Sequence, residues 1–175
     1  MIEIIQGNLL KQPAEVLVNP INADIIYDKG IPFFIKKIGG DEIEKEAVKY
    51  FPAKLGDVFV TKAGALQAKY VIHIVNRQFS KRTSYVLLQK SMCRVFEKAA
   101  DLNVKDMAIP PIYNRFSPEI TARILTDALQ ESFSLYPKLK NIRIYIVIFD
   151  REAYQIFYHV FKNSFPDLVK DIQSQ

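Results

Sequence analysis

The residues best suited to chemistry lie close together near the start of the chain. Asn19, Asn22, Asp24, Asp28, Lys29 and Gly30 all fall within VLVNPINADIIYDKGIPFFIKK, Val16 to Lys37. An apolar run ends there in amides, two carboxylates, a cation and a glycine, and a segment of helical character follows. In α/β proteins a buried strand that feeds a polar loop and then a helix start holds small anionic ligands, because helix N-termini present unpaired N–H groups.

Other chemistries lack their residues. Cys93 is the single cysteine and sits in a helical run between Met92 and Arg94. It reads as a small core residue, and one cysteine builds no intrachain disulfide framework, which favours a reducing, intracellular setting. His73 lies on an apolar strand and reads as structural, and His159 lies on the last helix. The two are not spaced as metal ligands, no Cys/His cluster exists, and a nucleophile elbow is absent. The sequence therefore calls for no metal and no cofactor.

A formal charge of +5 is mild for 175 residues. It helps attract a phosphorylated ligand or a polyanion but specifies neither. Basic residues at Lys36-Lys37, at Arg77 with Lys81-Arg82, and at Lys138-Lys140-Arg143 read as solvated faces and loop charges. Nucleic acid is a conceivable partner without a motif for it. No apolar run reaches membrane-span length, and the N-terminus starts in a strand pattern without a basic n-region. The expectation is a soluble, intracellular protein, cytoplasmic and not membrane-bound.

The elements that position these residues alternate along the chain. Strand patterns fall at 2–5, 15–19, 57–62, 69–75, 107–109 and 142–149. Helical patterns fall at 31–38, 41–50 and 83–102, the last capped by Thr83 or Ser84. Ser117-Pro118-Glu119 starts a helix that runs to about Leu135, and a last helix follows Asp150 and ends near Asn163. This order predicts one domain over residues 1–175, with a three-layer α/β/α fold and a mixed, largely parallel central sheet. Ligand loops are then Asn19–Gly30, Pro110–Phe116 and the junction Phe149-Asp150.

Those segments, in that order, resemble a macro domain over about residues 2 to 162. IIQGNLL (Ile4 to Leu10) resembles the family's opening strand and Gly-Asp-Ile-Thr turn. EVLVNPIN (Glu15 to Asn22) resembles its second strand and Asn-Ala-Ala-Asn element. DKGIPFFIKKIGG (Asp28 to Gly40) matches the glycine-rich loop and helix. LGDVFVTKAGALQAKYVIHIV (Leu55 to Val75) is the most specific match, to Gly-Asp, a strand and Leu-x-Ala-x-Tyr-Val-Ile-His. Ser84 to Ile112 and Ile144 to Phe161 resemble the long helix with its next strand and the final strand–helix unit.

The resemblance implies binding of ADP-ribose or a related nucleotide, free or on an ADP-ribosylated protein, and in some members ester hydrolysis or deacetylation. It places Asn8 and Leu9 at the adenine end, where Asn8 replaces an aspartate and accepts without charge assistance. Asn22 is implied at the distal ribose and Asn19 as an orderer of its loop. Only Gly30 remains of the glycine run, and Ile31, Pro32 and Phe33 follow, with Pro32 where hydrolytic members carry an aspartate. Pro32 reads as the first helical residue, and Phe33 adds bulk near the distal ribose. Ile112, Tyr113, Asn114, Arg115 and Phe116 stand for a second phosphate loop that lacks glycine, with Arg115 as a substitute grip. Phe149 is implied to stack on adenine, with Asp150 capping the last helix.

Three readings follow. The first is a binding module of weakened affinity and little or no catalysis. The second is an ADP-ribosyl hydrolase or deacetylase that uses Asn22, with Asp24 or Asp28 replacing the missing acid if their loop folds inward. The third is a scaffold in which Pro32, Phe33, Phe34 and Tyr113–Phe116 fill the old cleft or face a protein or nucleic acid.

Overall fold

The computed structural model describes residues 1–170. In chain order the elements are β1 (Ile2–Gln6), β2 (Val16–Asn22), α1 (Gly30–Gly39), α2 (Asp41–Ala47), β3 (Val58–Lys62) and β4 (Tyr70–Gln78). Then come β5 (Lys81–Arg82), α3 (Tyr85–Asp101), β6 (Asp106–Ile109), α4 (Pro118–Leu135), β7 (Arg143–Ile148) and α5 (Arg151–Ser164). The sheet runs β1-β7-β6-β2-β4-β3, with β5 paired to the end of β4. Neighbours from β1 through β4 are parallel, and β3 and β5 are antiparallel to β4. This is the expected mixed, largely parallel sheet.

Both faces of the sheet are covered, which is why its strands read as near-continuous apolar runs. Ile72 and Ile74 of β4 join the core under α3, α4 and α5, whereas Val71 and Val75 join the core under α1 and α2. The same alternation separates Ile144, Ile146 and Ile148 from Tyr145 and Val147 on β7. Side-chain caps fix three helix starts. Ser84 Oγ accepts from Leu87 N–H, Ser117 Oγ from Ile120 N–H, and Asp150 Oδ1 from Ala153 N–H at 2.8 Å. The expected helix over 41–50 turns into a 3-10 turn at Val48–Tyr50.

Two strands run further than the pattern predicts, and both extensions matter for the site. β2 continues through Pro20 to Asn22 instead of stopping at Asn19. A proline is tolerated there because β6 pairs only with Val16 and Leu17, so β2 has already lost one neighbour. β4 continues past Val75 through Asn76 and Arg77 to Gln78, turns at Phe79-Ser80, and returns as β5. The carboxyl ends of five parallel strands thus gather on one edge of the sheet. Along that edge stand Asn8 after β1, Phe149 after β7, Pro110 after β6, Asn22 on β2 and Arg77 on β4.

Candidate functional site

A cleft of about 310 Å³ opens where β2 and β4 end. Asn22, the Asp28-Lys29-Gly30 loop, Ile31 and Pro32 of α1, Asn114, and Asn76, Arg77 and Arg82 of the β4–β5 hairpin line it. A β-bulge shapes it. β2 and β4 stay in register from Val16↔Tyr70 to Ile21↔Val75, and the next pair is Asn22↔Arg77. Asn76 is therefore the extra residue, and the alternation of side chains is broken. Sequence neighbours Asn76 and Arg77 both reach the cleft as a result.

The loop after Asn22 is pinned by its own backbone. Ala23 N–H donates to Arg77 O at 2.8 Å, and Ile25 N–H donates to Asn22 O at 3.0 Å. Asn22 Oδ1 accepts from Ile26 N–H at 3.3 Å, while its amide NH2 has no partner among the described residues. Ile25 has φ 54°, an uncommon conformation for a β-branched residue, and the burial of its side chain offsets the strain. Gly30 has φ 64°, and α1 begins there without a side-chain cap. Pro32 is accordingly the third residue of the helix and not the first. The first-turn N–H groups of Ile31 and Phe33 lie in the part of a helix where no intrahelical acceptor exists.

The loop after β6 makes its turn without glycine. Asn114 takes φ 52°, and Phe116 N–H donates to Tyr113 O at 2.6 Å. Asparagine enters the left-handed region more readily than other non-glycine residues, so it makes the turn. Its side chain is engaged by Asn76 Nδ2 at 3.4 Å and by the Thr83 hydroxyl. Ile112 is buried in the core, Tyr113 packs edge-on against Phe157, and Phe116 leans on the same core. The Ile112 side chain is thus unavailable to a ligand. Arg115 is exposed and unpaired among the described residues.

At the far end of the edge, Asn8 Oδ1 already accepts from Leu10 N–H at 2.9 Å as the cap of a 3-10 turn. Leu9 is buried, so its side chain belongs to the core and only its backbone is offered to a ligand. Phe149 is 85 % exposed at the end of β7, so it is not a core phenylalanine. Asp150 is occupied as the cap of α5.

Asn19 lies within β2 and is fully buried. Its Nδ2 donates to His73 Nδ1 at 3.0 Å. That bond assigns the imidazole proton to Nε2, which donates to Thr61 Oγ1 at 2.9 Å. Burial pushes His73 down to about 3, so the ring is neutral. The Tyr27 hydroxyl stands 3.5 Å from the same Nδ1, and burial raises its pKa. This polar cluster is buried within the sheet, as expected of a structural histidine.

Phe33 does not line the cleft. Its ring packs edge-on against Phe34 with centroids 5.2 Å apart, and the Lys37 ammonium lies 5.8 Å above it. The cleft-filling role expected of Phe33 and Phe34 is not what the fold builds. Sequence reading also set Arg77 and Arg82 aside as loop charges and passed over Asn76. The available signal was a polar continuation of an apolar strand, a short turn, and a basic return. No group of three or more His, Cys, Asp or Glu residues is placed to hold a metal among the described residues. No helix there is long and apolar enough to cross a membrane.

Comparison with known proteins gives a consistent picture. A family model described as Macro domain matches residues 18–125. A protein from Sulfolobus acidocaldarius is 33 % identical over 165 residues, spanning 90 % of this chain and 88 % of its own. A protein from Pantoea vagans named O-acetyl-ADP-ribose deacetylase 1 is 29 % identical over 165 residues, covering 89 % of this chain and 95 % of its own. Among solved structures, a mutant macrodomain of Oceanobacillus iheyensis with ADP-ribose aligns with a TM-score of 0.82 at 18 % identity. That alignment covers 94 % of this chain and 93 % of the other.

Proposed function

The chain belongs to the macro domain family, and from that premise we propose that it holds ADP-ribose or a related nucleotide along the carboxyl edge of the sheet. The reading rests above all on the way the edge is laid out. From β1 to β4 there are four strand steps. At about 4.8 Å each they span about 19 Å, the order of length of an extended nucleotide joined to a second sugar. Phe149 offers an exposed ring for a base at one end. Asn22, with its free amide NH2 in the cleft, stands two strand steps from Phe149, about 10 Å along that edge, for the distal ribose. The uncapped start of α1 lines the same cleft as Asn22 and is a favourable place for phosphate charge.

Affinity is weak in this proposal for a stated reason. Only Gly30 lets backbone approach a diphosphate closely, and Asn114 spends its side chain on Asn76 and Thr83. Calorimetric titration with ADP-ribose beside ADP and AMP tests it. Micromolar to millimolar binding that weakens in Asn22→Ala and Phe149→Ala is the expected result. Absence of heat and of a thermal shift at millimolar ADP-ribose overturns it.

One observation favours a hydrolytic reading as the alternative. Asp28 lines the cleft beside Asn22, whereas Asp24 does not. Asp28 is placed to orient a water where Pro32 cannot, and the Pantoea relative carries the name of a deacetylase. Release of acetate from O-acetyl-ADP-ribose, abolished in Asp28→Asn, would establish this reading, and no release by the wild-type chain would end it.

A further inference from the structure

Helix α1 is apolar on the side it turns to solvent as well as on the side it buries. At about 100° per residue, Phe33, Phe34, Lys37 and Ile38 share one face. Ile35 and Gly39 lie on the opposite face, in the core. Phe33 is 38 % exposed, Phe34 49 % and Ile38 52 %. The surface helix α5 behaves differently, exposing Arg151, Glu152, Gln155, His159 and Asn163. A helix that is apolar all round is ordinarily a buried one, yet among the described residues nothing covers the outer face of α1.

We propose that this face is a docking surface for a second copy of the chain, which packs its own α1 on it about a two-fold axis. Shape, charge and area all favour a second copy over an unlike partner. Phe34 and Ile38 stand one turn apart on one flank of the face. On the other flank is an open hollow of about 550 Å³, lined by Tyr27, Phe33, Lys36, Lys37, Gly40 and Asp41. A two-fold axis running along α1 between the copies exchanges the flanks. It sets the Phe34–Ile38 ridge of each copy against the hollow of the other, which is the self-complementarity an isologous contact needs.

Charge does not call for an acidic peptide or a polyanion. Lys36 already pairs with Glu44 and Asp41. Lys37 is the remaining cation, and its ammonium lies 5.8 Å over the Phe33 ring. The face is therefore close to neutral, and two copies meet without strong repulsion. Area sets the strength. At their exposures the three apolar side chains offer about 300 Å² per copy, and with the lysine stems and the rim of the hollow the contact totals about 1,000 Å². That is the lower bound for a specific interface, so the dimer is transient, with a dissociation constant of about 10–100 μM. The docking face lies outside the cleft, and the proposal does not depend on the nucleotide reading.

Sedimentation equilibrium of the full chain from about 1 μM to 500 μM tests it. The weight-average mass is expected to rise from one chain toward two across that range. Phe34→Ala weakens association at least about 10-fold, as loss of a central aromatic does, and Ile38→Glu abolishes it. Leu135→Ala removes an equally exposed apolar side chain from the end of α4 and leaves association unchanged. Thermal melts confirm that each variant is folded, and the exposure of all three positions favours that. A wild type that stays monomeric at 500 μM overturns the proposal. So does association that survives in the folded α1 variants, or that Leu135→Ala weakens as much as Phe34→Ala. Titration of ADP-ribose in parallel keeps the two readings apart: a dimer lost in the α1 variants stands whether or not the nucleotide binds.

Discussion

His73 ties the stability of this protein to pH in a way that can be worked out in advance. The imidazole is fully buried between Asn19 and Thr61, and burial holds its pKa near 3. An unfolded chain presents the same group with a pKa of about 6.5. The folded value is the lower one, so the unfolded state binds more protons between the two values. Stability is fully present above pH 6.5 and is lost progressively as pH falls toward 3. The slope approaches about 1.4 kcal/mol per pH unit, which accumulates to about 2 kcal/mol by pH 5. Urea denaturation of the wild type and of His73→Phe between pH 5 and 7 measures it. The variant is less stable at pH 7 by about 1–3 kcal/mol for each polar partner left orphaned, but its pH dependence in this window is flatter. If both proteins lose stability equally from pH 7 to 5, the neutral-histidine argument fails. A histidine ring whose NMR shifts titrate near 6.5 in the folded protein and belong to His73 would refute it as directly.

Other expectations follow from the same geometry. Phe149→Ala changes the melting midpoint little, because the ring is 85 % exposed, yet weakens ADP-ribose about 10-fold by loss of base stacking, read by calorimetry. Gly64→Ala is severe: its backbone has φ +55°, and a Cβ there would stand 2.1 Å from Gly39 O. A loss of more than about 3 kcal/mol in chemical denaturation is expected, of the size seen when strain and overpacking combine. Asp106→Ala costs about 2 kcal/mol on the same assay, since the buried carboxylate accepts Glu15 N–H at 2.7 Å and the Arg143 guanidinium at 2.9 Å.

The sequence carried the layer order and sheet type because strands covered on both faces must be apolar throughout, and β4 and β7 are. Ser117-Pro118 and Asp150 announced their helices, since a capping oxygen is a local requirement. The cleft was legible only in part. Asn22, Gly30 and Phe149 stand at strand ends and loop turns that the residue pattern marks. Asn19 could not be told from a loop residue, because its burial depends on His73, which is remote in sequence and reaches it only through β2–β4 pairing. Arg77 and Arg82 escaped for the same kind of reason. Their meeting requires a bulge and a two-residue strand, and neither has a periodicity to read.

The bulge makes the distal end of the cleft a matter of parity. A regular strand shows alternate side chains to opposite faces, and one residue more or fewer exchanges the two sets. Here the count changes at Asn76, after the last core residue of β4, Val75. Deleting Asn76 would close the bulge and leave Arg77 opposite Asn22, so the ladder would become regular while the contact from Asn76 to Asn114 was lost. The shape of this edge can thus be altered by chain length alone, without touching a residue that holds the fold together.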